Sequence, residues 1–322
     1  MKLNPVFRYL SFFSLFILLL YGLGRLYFHL TAGFTIGNIS SDFAYQPDWQ
    51  TRALTNSENN ELKMALEQPY EYLSKGCQSY VFLSQDGKYV IKFFKYQRFR
   101  LQPWLVYFPP LPAFDRYREE KKEKKWQILN FFIKSWKVAF DNLKAETGLI
   151  YVHLNKTDHL NKKLIIQDKL GIKHRLNLDQ MEFCIQQRAE MLCDVLMEYK
   201  IKADDSSARL LIDNLIALIV SEYERGLADN DHALMQNTGV VQGRPIHIDV
   251  GQFIMNEEIK NPIKYHQELF TKTYKFKKWL AQNYEEMSHH LEMRLEEMIG
   301  PEYSSMRPIW WDKPGRKARL MS

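Results

Sequence analysis

An uncharged, almost wholly apolar run from Tyr9 to Gly24 opens this chain and sets its first segment apart from the rest. The run is too uniformly apolar to leave a polar face, which counts against a buried core helix. A bilayer core of about 30 Å asks for about 20 apolar residues, and the run alone falls short of that. Arg8 and Arg25 can snorkel at its ends, and Tyr27 and Phe28 can lengthen it at the interface. A retained single-pass anchor over residues 1–30 is the preferred reading. A cleaved signal peptide is the alternative, with Lys2 and Arg8 as its basic start, although FHLTAGF places bulky residues where a cleavage site wants small ones. A buried core helix comes third. Orientation is ambiguous: Lys2, Arg8 and the amino terminus outweigh Arg25 only slightly, which by the positive-inside rule places the body outside.

Beyond the run the composition is that of a folded protein. Of 322 residues, 46% are hydrophobic and 25% charged, which excludes collagen-like and disordered chains. The formal net charge of +6 gathers in KYQRFR, RYREEKKEKK and the tail KPGRKARL. It suits an anionic membrane surface or phosphate-bearing ligands, and equally a solvated face; no nucleic-acid partner is expected. Cys77, Cys184 and Cys193 lack the spacing of a zinc site or a disulfide framework.

Patterning divides the remainder. Residues 31–69 are polar and irregular, with one short helical piece introduced by Ser57, and read as a linker or stalk. YEYLSKGCQSYVFLSQDGKYVIKFFK reads as strands, with Asp86-Gly87 supplying a hairpin turn. The proline-rich YQRFRLQPWLVYFPPLPAF is either a packed loop or a surface that dips into the bilayer near the anchor. Trp126, Leu129, Ile133, Trp136, Phe140 and Leu143 recur at helical spacing and mark a core-facing stripe. TGLIYVHLN, KLIIQDKLGI and MEFCIQQRA read as further strands, and from Ala189 to about Ile299 the chain is mostly helical, one helix being capped by Ser206 or Ser207.

Three clusters could carry chemistry. LSKGCQSYV, between strands, could bring backbone N–H groups to phosphates, and Lys92 in the following YVIKF adds a cation. Lys92 is either a solvent-facing edge lysine or a cation in an apolar run that demands a partner. LADNDHALMQN offers Asp229, Asp231, His232 and Asn237, each also at home in a simple turn. GRPIHIDVGQF ends a short apolar strand at Asp249, with Gly251 two residues on. An aspartate and an asparagine from neighbouring loops, completed by nucleotide phosphates, are the oxygen ligands that Mg2+ prefers. His247 reads as a hydrogen-bonded core histidine ahead of a proton shuttle.

In this order the three clusters resemble the protein-kinase-like superfamily across about Tyr70 to Phe253. LSKGCQSYV is similar to the kinase glycine-rich loop, keeping Leu73, Gly76 and Val81 with Ser74 and Ser79 in place of the outer glycines. YVIKF resembles V-A-I-K, DHALMQN resembles D-x-x-x-x-N with one residue more, and IHIDVGQF is similar to H-I-D-F-G-H of the phosphatidylinositol-kinase branch. The residues before Asp231 depart from His-Arg, and no A-P-E follows.

The resemblance implies an α+β, two-lobed protein-kinase-like fold behind the N-terminal helix. Its strand-rich N-lobe would span 70–188 and its helical C-lobe 189–300, with a basic tail at 301–322. It implies ATP and Mg2+ as cofactors, with the nucleotide, the membrane bilayer and an unidentified substrate as partners. Gly76, Ser79, Val81 and Lys92 would hold the nucleotide, Asn237 and Asp249 the metal, and Asp231 would be the catalytic base, with Asp229 as its alternative. The helix glutamate that should pair with Lys92 is open among Glu119, Glu120, Glu123 and Glu146. The readings to be separated are an active kinase, a pseudokinase used for nucleotide binding or scaffolding, and an unrelated membrane-tethered α+β protein.

Overall fold

A computed structural model describes residues 5–310 apart from 108 and 110. Lys2 and residues 311–322, which hold the basic KPGRKARL, lie outside the described residues. The chain opens with α1 (Pro5–Thr31) and the single turn α2 (Ile36–Ile39), then α3 (Asn56–Leu66). Three strands follow: β1 (Tyr70–Lys75), β2 (Ser79–Ser84) and β3 (Tyr89–Phe94). The short α4 (Pro103–Tyr107) leads into the long α5 (Pro112–Asn142) and one turn, α6 (Lys144–Thr147). Next come β4 (Leu149–His153), β5 (Lys163–Gln167), β6 (Lys173–Asn177), β7 (Phe183–Gln187) and β8 (Glu190–Met191). The second half contains α7 (Leu192–Ile201), α8 (Asp205–Glu224), β9 (Leu227–Asp229), α9 (Leu234–Asn237), β10 (Thr238–Val241), β11 (Arg244–His247) and β12 (Phe253–Met255). It closes with α10 (Pro262–Asn283) and α11 (Glu285–Ile299).

The architecture is mixed α+β. A seven-stranded sheet runs in the order β4-β7-β3-β2-β1-β5-β6, and two small sheets, β11-β10-β8 and β12-β9, belong to the helical part. The β2–β3 hairpin turns at Gly87, in the left-handed region, while Asp86 accepts from the Ser84 hydroxyl and from Lys88 N. β3 is an inner strand, so Lys92 is not the edge lysine that its sequence position also allowed.

α1 is long and apolar enough to cross a membrane, and its apolar window is not buried against the body. The core-helix alternative is thereby removed. Residues 31–69 do not stand away as a stalk: Phe34, Ile39, Leu62 and Leu66 are buried with Phe82 and Ile91 on one face of the large sheet, and Trp49 is buried with α5 on the other. The helix in this stretch begins at Thr55, two residues before the expected Ser57, through a reciprocal capping box with Glu58. The stripe on α5 packs as its spacing predicts, Leu129, Ile133, Trp136, Phe140 and Leu143 being buried with Phe94 and Leu149. Each such side chain contributes about 1.5–3 kcal/mol.

A separate core joins α7, α8, α10 and α11 around Leu211, Leu215, Leu269 and Leu291. The cap of α8 is Asp204, accepting from Ser207 N at 3.1 Å, rather than a serine. After α8 the chain reverses at Gly226 (φ +75°), where a side chain would strike Lys260. That reversal starts β9. Val250 and Phe253, although far along the chain, are buried in the cluster of α5 and the large sheet, so GRPIHIDVGQF is stitched between the strand-rich and helical parts.

Candidate active site

Lys92 is 7% exposed. Its register against β7 and the turn of the sheet bring its ammonium onto Gln186 Oε1 at 2.7 Å and onto the backbone carbonyl of Ile248, next to Asp249. The Trp136 ring lies 5.8 Å away. Burial depresses the Lys92 pKa, opposed by Cys184 and Asp249. Cys184 is itself pushed up to about 12 by burial, so its thiol is neutral.

None of the four candidate glutamates pairs with this lysine. Glu119 binds Lys122, Glu123 binds Gln127, Glu146 binds Arg225, and Glu120 is exposed on α5. Gln186 occupies the partner's place. It is held by donating to Thr147 O at 2.5 Å and to His247 O at 2.8 Å. The only sequence signal for it was the pair of glutamines that ends the apolar start of FCIQQ.

The β1–β2 turn folds down onto the same place. Gly76 N donates to Ser79 O at 3.0 Å, and Lys95 N donates to Gln78 O at 2.8 Å. Ser79 is buried, and Val81 pairs with Lys92 across the hairpin. Gly251 faces the turn: a Cβ there would lie 2.2 Å from Gln78 Oε1 and 3.0 Å from Phe132, so a side chain would have to displace Gln78.

The acidic residues converge from the other side. Asp229 ends β9 and is buried against Lys272 of α10 at 2.8 Å. Asp231 is partly exposed; its oxygens accept from Ala233 N at 2.9 Å and Gln252 Nε2 at 3.4 Å. Asn237 ends α9, and its carbonyl accepts from Ile248 N at 2.7 Å, tying the two loops together. Asp249 Oδ1 accepts from Gly251 N at 3.2 Å. Burial raises the Asp249 pKa, Lys92 and Gly251 N oppose this, and the carboxylates of Asp229 and Asp231 add to it. His247 is a buried core residue bonded to Glu222 at 2.7 Å.

Among the described residues no group of three or more His, Cys, Asp and Glu side chains is placed to hold a metal ion. Asp249 and Asn237 nonetheless sit on loops joined by the bond from Ile248 N to Asn237 O, and both offer side-chain oxygen. The amide oxygens of Gln78 and Gln252, on either side of Gly251, are buried without a hydrogen-bond donor among the described residues. Such a donor set fits a hard cation that also keeps phosphate and water ligands.

Because the folded-state pKa of Asp249 is raised, its ionised form destabilises the ligand-free fold. The penalty is present above that pKa and fades as pH falls through it. Asp249→Asn should therefore stabilise the ligand-free protein at pH 7 by about 1 kcal/mol, the order typical of relieving a functional site. The gain should vanish below about pH 3.9, where the aspartate is protonated in both states. Thermal unfolding of the two proteins at the two pH values measures it.

Comparison with protein-family models and with curated proteins finds no match. Among solved structures, the chain is similar to a co-crystal structure of WbdD with the kinase inhibitor LY294002, at 13% identity and a TM-score of 0.32, over 73% of this chain and 46% of that one. A structure of the bifunctional kinase-methyltransferase WbdD gives 15% identity and a TM-score of 0.32, over 72% and 45%. The chain thus spans about half the length of these proteins. Likeness at this level carries no argument, and the functional reading rests on the geometry of the site.

Proposed function

We propose that the chain is a membrane-anchored, kinase-like phosphotransferase that moves the γ-phosphoryl group of ATP to a substrate hydroxyl. The observation that carries this reading is the meeting of Lys92 with the Ile248 carbonyl beside Asp249, across the seam between the large sheet and the helical part. Residues 70–188 serve as the N-lobe, residues 189–300 as the C-lobe, and α1 as the anchor, with the body on a side that contains ATP.

Lys92 offers its ammonium to the α- and β-phosphates. Gly76, Ser79 and Val81 form the cover over the nucleotide. Asn237 and Asp249 would hold Mg2+, which supplies neutralisation of phosphate charge. Asp231, held by Ala233 N and Gln252, orients the substrate hydroxyl and accepts its proton. Catalysis of this kind is positioning and electrostatics, with no covalent enzyme intermediate. After Gly251 the chain enters β12 at Phe253 and a helical turn at Glu257, leaving little chain for a peptide-docking segment. That favours a small-molecule, sugar or lipid hydroxyl.

A second reading, a nucleotide-binding pseudokinase, is favoured by two observations. A neutral glutamine stands where a glutamate is expected beside Lys92, and Gln78 is folded against Gly251. Incubating the full chain, in detergent, with γ-labelled ATP, Mg2+ and a cell extract separates the two. Labelled product that disappears in Asp231→Asn supports transfer; nucleotide binding without labelled product supports the second reading.

A further inference from the structure

A cavity of about 570 Å3 lies where α1 meets the first hairpin. Phe28 and Ala32, at the end of α1, form one wall; Lys75, Tyr80, Lys95 and Arg98 form much of the other. The junction is fastened. Lys75 donates to Ala32 O at 2.9 Å with its ammonium 4.0 Å over the Phe28 ring, and Tyr80 Oη donates to Gly33 O at 2.5 Å.

Three cations face this space, and none has a carboxylate within ion-pair distance among the described residues. Their hydrogen bonds go instead to the backbone carbonyls of Ala32, Gly76 and Cys77. Lys95 is buried, with its ammonium 4.4 Å over the Tyr80 ring. Burial first, then Lys75 and Arg98, bring its pKa down to about 8, against the pull of Cys77. Concentrated positive charge without an internal counter-charge is suited to an anion from outside, and phosphate is the anion that an Arg and Lys set binds best.

The surroundings define what carries the phosphate. The apolar window of α1 runs to Thr31, so the cavity stands at the end of the hydrophobic stretch, the level at which headgroups begin. Arg100, just beyond Arg98, donates to Gly37 O and Ser40 O and holds this strand of chain beside the segment that leaves α1. It is followed by α4, which exposes Trp104, Val106 and Tyr107, side chains of the kind that anchor at a membrane interface.

We propose that this cavity binds the phosphate headgroup of an anionic phospholipid, with Lys75, Lys95 and Arg98 as ligands and the acyl chains running along α1 at Phe28. The inference rests on α1 being a membrane span. It does not depend on phosphotransfer.

The test uses the full chain in neutral detergent, titrated by calorimetry with dihexanoyl phosphatidic acid, dihexanoyl phosphatidylcholine or inorganic phosphate. Phosphatidic acid should bind saturably and at least about tenfold more tightly than phosphatidylcholine, because the zwitterion adds a cation. Lys75→Gln and Arg98→Gln, both at exposed positions and so compatible with folding, should each weaken it about fivefold. Equal binding of the two lipids, or wild-type affinity in both variants, would overturn the site. Inorganic phosphate binding as tightly as phosphatidic acid would overturn the lipid as its source. Carbonate washing of membranes keeps the failures apart: release of the chain refutes the span, whereas retention with unselective lipid binding refutes the headgroup site alone.

Discussion

Replacing Lys272 with methionine is expected to lower the unfolding free energy by about 3–5 kcal/mol, the cost of leaving a buried carboxylate without its partner. Lys272 and Asp229 are 2.8 Å apart, and both side chains are 2% exposed. Burial works against the charge on Lys272, but attraction to Asp229 and the hydrogen bond it donates to that carboxylate outweigh it, so its pKa is raised. The contribution of the pair is therefore complete below the ordinary lysine pKa and is lost as pH rises through the raised value. The double variant Lys272→Met/Asp229→Leu should recover most of the loss, since an apolar pair of similar volume is often as stable as the ion pair. Chemical denaturation of the three proteins in detergent reads both effects. The position also matters for the site, because α10 thereby clamps the end of β9, from which the Asp231 loop departs.

Lys92→Met is expected to lower phosphotransfer by about 10²–10³-fold, the usual loss when one preorganised charge at a reacting centre is removed. Met keeps the length and apolar stem of lysine, so packing against Trp136 is retained while the ammonium is lost. Arginine should not rescue, because its planar guanidinium does not fit the ammonium's contacts with Gln186 and the Ile248 carbonyl. Single-turnover transfer from γ-labelled ATP measures the effect. A rate within about threefold of wild type would remove Lys92 from the chemistry.

Most of the elements were legible because their signals are local. The period of the α5 stripe, the Asp86-Gly87 turn and the glycine break after α8 act within a few residues of themselves. The segment 31–69 was not legible as core. Phe34, Ile39 and Trp49 are single apolar residues in a polar stretch, without a period, and only the sheet and α5 give them a place to pack. Caps were displaced by two or three residues, since Thr55 and Asp204 compete with nearby serines for the same backbone donors.

In the site, the order of the motifs brought Lys92, Asp231, Asn237 and Asp249 to attention. The geometry places Lys92 beside Asp249, ties the Asn237 and Asp249 loops together, and links Asp231 to Gln252. The partner of Lys92 was illegible, because the family pattern implies a charge on a helix. The group present is a neutral amide on β7, delivered by strand pairing across 94 residues. Asp229 and Asp231 differ in their surroundings through Lys272, which lies 43 residues beyond Asp229 and pairs with it.

The measurement that tests the central claim most directly is the nucleotide dependence of thermal unfolding, made on the full chain in detergent. At a hundredfold excess over Kd, ATP with Mg2+ should stabilise the wild-type protein by about 2.7 kcal/mol. Asp249→Ala should abolish that shift while remaining folded. A wild-type protein that ATP and Mg2+ leave unshifted, or an Asp249→Ala variant stabilised as much as wild type, would contradict the account.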